Sequence, residues 1–239
     1  MSEAPLLFLD ANALASPVTR TLLIAGARAN GLRWTWSRHV EIEADRHARG
    51  QASRTSIVRK KILGTALSPT AQSTEGLVTD TVQDRQVVAD AIRAGARYLI
   101  TTDVDDFAFD DLAAHEMSAV NPDYFMALRF TEQAYMEGVD LLAAVQKNPS
   151  RTASEIHRML GRRHPRLVAQ FVGTFDSTPV EADPDQPSTI FRGVACVRCG
   201  AHLDDAAGLQ HGLCPEQRPG ITGTVRQTVC DTPFFLQSP

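Results

Sequence analysis

Six acidic side chains stand where their types and spacing could do chemistry. In "YLITTDVDDF" a short apolar run ends by presenting Asp103, Asp105 and Asp106 within four positions, an arrangement that costs stability unless a cation sits among them. Asp10 ends an earlier apolar run, "LLFL"; Asp84 stands where the helical pattern "DRQVVADAIRAGA" begins; and Glu43 lies inside "SRHVEIEADRH". Carboxylate oxygens suit hard cations, and an open acidic site that leaves room for water and phosphate is suited to phosphodiester hydrolysis. A second constellation lies near the C-terminus. Cys196 and Cys199 form C-x-x-C-G, and His211 with Cys214 forms H-x-x-C, giving three thiolates and an imidazole at zinc-ribbon spacing, with Cys230 an alternative fourth donor.

The elements that must hold these residues follow from the apolar pattern. "LLFL", "LRWTW", "RYLIT" and "SAV" read as strands alternating with segments of helical period, the signature of an α/β protein with a mainly parallel sheet. Ser16 and Pro17 open one helix, with Val18, Leu22 and Leu23 inward. Ser37 caps a second, "SRTSIVRKKILGTAL" is a third, Asp84 starts a fourth that stops at Gly95, and Asn121 with Pro122 opens a fifth. Ligands of such sheets bind outside the carboxyl ends of the strands, so Asp10, Glu43, Asp84 and Asp103 can converge there.

Taken in order, "LLFLDANAL", "SRHVEIEADRH" with Glu43 six residues after Ser37, and "QDRQVVADAIRAGARYLITTD" resemble the acidic elements of PIN-domain nucleases, and most of all bacterial VapC-like toxins. The resemblance covers roughly residues 5 to 130. It implies a three-layer α/β/α fold and a ribonuclease directed at single strands, with Asp10, Glu43, Asp84 and Asp103 holding Mg²⁺ or Mn²⁺. Asp105 and Asp106 read as solvated loop charges or, for Asp106, as an auxiliary ligand. The resemblance also implies an RNA substrate, a small antitoxin partner and a homodimer. The chain departs from the small toxins in its long C-terminal extension.

Each assignment has a plainer competitor. Asp10 can simply end a strand, Asp84 can be an N-cap, and Glu43 has rivals in Glu41 and Asp45, although Glu41 points to another face of the same helix. His39, Glu43 and His47 recur at helical spacing, but the two histidines are about 12 Å apart along the axis, too far to share one ion. Arg158, Arg162, Arg163, Arg166 and the "IVRKKI" helix are candidates for phosphate contacts, and Trp34 and Trp36 for base stacking or for the core.

Four segments are expected: a nuclease domain at 1–130, a helical extension at 131–175 opened in part by a Thr152 to Glu155 capping box, a flexible Pro- and Asp-rich linker at 176–190, and a zinc-ribbon segment at 191–239 that folds on its metal independently of the body. With 239 residues, 43% hydrophobic and 22% charged, the composition is that of an ordinary globular chain. No apolar run approaches membrane-spanning length, and a cytoplasmic location is expected. A net charge of −4 argues against bulk electrostatic binding of nucleic acid, though not against a local basic patch. Two further readings share these residues: a non-catalytic nucleic-acid-binding or scaffold module, and a structure-specific DNA nuclease.

Overall fold

The computed structural model describes residues 4–48, 54–64, 67–176 and 178–215. The elements run β1 (Leu6–Leu9), α1 (Ala11–Ala15), α2 (Pro17–Ala29), β2 (Arg33–Thr35), α3 (Arg38–His47), α4 (Thr55–Val58), α5 (Val82–Ala94), β3 (Tyr98–Ile100), α6 (Phe109–Ala114), β4 (Ser118–Val120), α7 (Pro122–Arg129), α8 (Glu132–Val145), α9 (Ala153–Leu160), α10 (Pro165–Gln170), β5 (Phe191–Gly193) and α11 (Ala206–His211). α4 runs on into one π-helical turn at Arg59–Leu63, and a single 3-10 turn covers Val104–Asp106.

The sheet order is β2-β1-β3-β4-β5. The first four strands are parallel and β5 is antiparallel to β4. β1 and β3 are nearly continuous apolar runs because helices cover both their faces: Leu7, Phe8, Leu9, Tyr98, Leu99 and Ile100 are all buried. The fold is thus α/β with a mostly parallel five-stranded sheet, consistent with three layers. After β1 the chain crosses to β2 on one side, while β3 lies on the other, so the order reverses between β1 and β3. A crevice opens at such a point, outside the strand C-termini.

The helix starts follow local chemistry. Ser16 accepts from Thr19 N with Pro17 in the first turn of α2, Ser37 accepts from Val40 N, and Asn121 accepts from Asp123 N. Thr152 and Glu155 form both halves of a capping box on α9. Two details differ from expectation. Val18 is exposed, because the buried stripe of α2 begins at Thr19 and includes Arg20, whose guanidinium donates to the Leu14 carbonyl at 2.7 Å. Thr81, not Asp84, caps α5, and Asp84 sits in the first turn with its carboxylate accepting from the Thr81 hydroxyl at 2.5 Å.

The C-terminal segments are not appendages. Tyr135, Leu160, Leu167 and Phe171 of the helical extension share one apolar core with the sheet, and so do Cys196, Val197, Leu203 and Cys214. The linker lies along α9: Val180 N donates to the Arg158 carbonyl and Asp183 N to that of Arg162, each at 2.9 Å. β5 extends the sheet, with Val120 opposite Phe191 and Ser118 opposite Gly193. Among the described residues the tail is joined to the body through β5, whose hydrogen bonds run to β4. Among the described residues no helix is long and apolar enough to cross a membrane.

Truncating the chain after Asp176 strips β5 from β4 and leaves an unpaired sheet edge. We expect the shortened chain to self-associate and to lose cooperative thermal unfolding, measured by size-exclusion chromatography and circular dichroism. A monomer with an intact melt would show that the body folds without its fifth strand.

Candidate functional site

Asp10 leaves β1 at the crevice and caps the five-residue helix α1. Its Oδ1 accepts from Ala11 N at 2.6 Å and its Oδ2 from the Thr101 hydroxyl at 2.9 Å. The side chain is almost fully buried. Burial pushes its pKa up to about 7, the charges of Glu43 and Asp103 push the same way, and the Ala11 and Thr101 bonds oppose them.

Thr101 follows β3 directly, and its hydroxyl also accepts from Asp103 N at 3.1 Å. Asn12 completes the bracket. Its Nδ2 donates to Thr101 Oγ1 at 2.9 Å and to Asp103 Oδ2 at 3.0 Å, while its Oδ1 accepts from Thr102 N at 3.0 Å. The ends of β1 and β3 are therefore tied together by two neutral side chains that sequence reasoning passed over. The available signal was position alone, one residue past a strand and two past an aspartate, because Asn and Thr there read as ordinary turn residues.

The remaining acids arrive from other elements. Glu43 comes from α3, Asp84 from the first turn of α5 and Asp106 from the end of the 3-10 turn; with Asp10 and Asp103 they line one cleft of about 660 Å³, joined by Asn12, His47, Phe107 and Arg163. Asp106 is raised by burial first and then by Asp84, Asp103 and Asp105, with Arg192 opposing. The rivals of Glu43 are engaged elsewhere. Glu41 is buried in ion pairs with Arg59 at 2.5 Å and Arg38 at 2.7 Å, and Asp45 accepts from Ser56 N at 3.1 Å.

The basic and aromatic candidates separate in the same way. Arg163 lines the cleft, whereas Arg162 pairs with Asp183 at 3.7 Å and Arg166 with Asp123 at 3.6 Å. Trp36 is a core residue and Trp34 is half-buried against that core. His47 reaches the cleft, while His39 does not line it.

The cysteines meet at the far edge of the sheet. Cys196, Cys199 and Cys214 are the group among the described residues whose metal-binding atoms all lie within 4.8 Å of one another, and the set could hold a metal such as zinc. No disulfide joins them, and Cys199 Sγ lies 3.4 Å from Cys214 Sγ. Gly200, at φ +78°, reverses the chain so that its N–H reaches the Cys196 carbonyl at 2.7 Å, a left-handed conformation that a side chain would strain. Hydrogen bonding from the Cys199 side chain, and from the backbone N–H groups of Cys199 and Cys214, outweighs burial and pushes the Cys196 thiol down to about 5. This thiolate-stabilising, sulfur-rich set fits a borderline-soft cation, whereas the all-oxygen set of the cleft has the chemistry of a hard one.

The predicted fourth donor is not among them. His211 ends α11 exposed, and its backbone carbonyl, not its ring, is engaged, accepting from Tyr124 Oη at 2.7 Å. The H-x-x-C spacing is present, but the helix that carries His211 does not bring its imidazole into the sulfur group. Cys230 lies outside the described residues. The cluster is fastened to the body by Tyr98 Oη donating to the Cys196 carbonyl at 2.6 Å and by Arg97 Nε donating to that of Gly200 at 3.1 Å.

The raised pKa of Asp10 has a testable sign. Its carboxyl ionises near 4 in the unfolded chain and near 7 in the fold, so its contribution to stability is complete below pH 4 and is lost as pH rises to about 7. His164, buried and pushed down to about 4, titrates in the opposite sense over an overlapping range, so the comparison is made against Asp10→Asn. We expect the melting temperature of the variant to gain on that of the metal-free wild type, by about 3 °C or more, as pH rises from 4 to 7. A constant gap would place Asp10 in a wetter setting. Comparison with protein-family models, characterised proteins and solved structures returned no match to this chain, so its functional reading rests on the residues themselves.

Proposed function

We propose that this chain is a metal-dependent endoribonuclease of the PIN-domain kind its sequence resembles, hydrolysing phosphodiester bonds of single-stranded RNA in the acidic cleft. One observation carries the reading: five carboxylates from four separate parts of the chain line a single cleft at the C-terminal ends of β1 and β3. A module that only bound RNA would gain nothing from opposing anions in its groove.

A bound Mg²⁺ or Mn²⁺ supplies an acidified water and positive charge against the phosphoryl oxygens. Asp10 and Asp103 offer oxygens from rigid strand ends, and Thr101 with Asn12 fixes the direction of those oxygens. Glu43 and Asp84 approach from helices and hold ordered water or orient the attacking one, with Asp106 as an auxiliary donor. Arg163 is the cationic side chain at the cleft and donates to a substrate phosphate. Zn²⁺ at Cys196, Cys199 and Cys214 has a structural role in this reading, with Cys230 as the fourth donor. The reading extends to a cytoplasmic toxin relieved by a small antitoxin, and to a homodimer.

The test is cleavage of single-stranded RNA and DNA with Mg²⁺ or Mn²⁺ and with an EDTA control. Asp103→Asn keeps the shape of the side chain while removing a charge from the ion-binding group, so cleavage should fall by more than about 100-fold. Metal-free stability should hold or rise, because the apo carboxylates repel one another. Wild-type cleavage by the variant would reduce Asp103 to a turn residue, and preference for DNA would reassign the substrate. In a bacterial host the wild-type chain should slow growth and Asp103→Asn should not; growth unaffected by an active enzyme would point to RNA processing instead.

A further inference from the structure

Arg192 lies outside the cleft, yet it grips the loop that carries two of the cleft's acids. It stands in the middle of β5, opposite Ala119 of β4. Its Nη2 donates to Asp105 Oδ1 at 2.7 Å, and its Nη1 to the carbonyls of Asp105 at 3.3 Å and Phe107 at 3.1 Å. Those two carbonyls flank Asp106, and Asp103 lies two residues before the first of them. A guanidinium fork on three acceptors fixes a short loop in a way a point charge would not. The contact also accounts for Asp105, the one acid of the "DVDD" run that does not line the cleft.

The other end of β5 leads to the cysteines. Val194 N donates to the Met117 carbonyl at 3.2 Å, Ala195 N to Ser118 Oγ at 2.8 Å, and Leu203 N to the Val194 carbonyl at 2.7 Å. Cys196 follows at once, its N–H on the Ala201 carbonyl at 2.8 Å. Two residues of fixed backbone, Val194 and Ala195, therefore separate the strand that holds Arg192 from the first cysteine. A three-residue strand has little pairing of its own, so what holds its C-terminal end decides whether it stays in place.

We propose that Arg192 is a positioning residue for the acidic loop, and that a metal on Cys196, Cys199 and Cys214 keeps it in position by anchoring β5 to the sheet edge. The inference rests on the nuclease reading. It makes the cysteine site a condition of the acidic site: loss of metal loosens residues 194–196, releases β5, and frees the loop that carries Asp103 and Asp106.

The test uses the full chain and three measurements: zinc content, amide hydrogen exchange of residues 101–107, and Mn²⁺ affinity by calorimetry. Arg192→Ala should keep one zinc, raise exchange in the loop at least about tenfold and weaken Mn²⁺ binding about tenfold, the scale of losing a supporting contact to a metal ligand. Arg192→Lys, which keeps the charge without the fork, should fall between. Cys199→Ser should lose zinc and show the same loop exchange and Mn²⁺ loss with Arg192 still present. Wild-type loop exchange or wild-type Mn²⁺ affinity in Arg192→Ala overturns the positioning role. Zinc loss in Cys199→Ser without either change overturns the coupling. If Cys199→Ser does not fold, the Arg192 variants, whose cysteines are intact, decide. A wild-type chain that binds no Mn²⁺ removes the nuclease reading and the inference with it, whereas wild-type binding that Arg192→Ala leaves unchanged removes the inference alone.

Discussion

A carboxylate buried at the end of a strand, with two more acids for company, is the constraint around which this molecule is arranged. Ionising Asp10 means charging a group almost out of water, and Glu43 and Asp103 make the charge harder to place. The fold neither pairs Asp10 with an arginine nor moves it to the surface. It surrounds the carboxylate with neutral donors, Ala11 N and the Thr101 hydroxyl. The contrast with Glu41, two residues from Glu43 and saturated by Arg38 and Arg59, shows what the chain does with an acid that has a purely internal task.

Much of the distant structure serves that cleft. Asp123 at the start of α7 accepts from Arg166 N at 3.1 Å and Leu167 N at 2.9 Å, pinning the start of α10. His164, buried next to Arg163, shares a hydrogen bond with Thr19 Oγ1 at 3.0 Å and so ties the same turn to α2. Arg163 thus reaches the cleft from a turn that is fixed immediately after it, at His164, Arg166 and Leu167. The helical extension supplies a cationic side chain that the β1 to β4 unit does not place there, which gives residues 131–175 a purpose beyond covering apolar surface.

What could be read in the sequence was what depends on local pattern. Asp10 and Asp103 follow apolar runs too short to be helices, and Glu43 and Asp84 sit at spacings that a capped helix turns toward the same side. The cysteine knuckle is written in four consecutive positions and a glycine. The features missed depend on partners far away in the chain. Asn12 and Thr101 matter only because β1 and β3 are neighbours. "FRG" is three residues long, follows a Pro-rich stretch, and becomes a strand by pairing with Val120 and Ser118 more than seventy positions earlier. His211 has the right spacing, but spacing does not record which way the last turn of α11 directs its side chain. The cap of α5 was misplaced by one turn because Thr and Asp are both good N-caps, and both are present.

β5 also sets an order of events. A chain made from its N-terminus has β1 to β4 and every acid of the cleft in hand by residue 120, while the strand that closes the sheet edge and carries Arg192 is not made until residue 193. Until then β4 has no partner on that side, and the Arg192 contacts to Asp105 and Phe107 cannot form. The pairing of β5 with β4 is therefore the last step in completing the sheet.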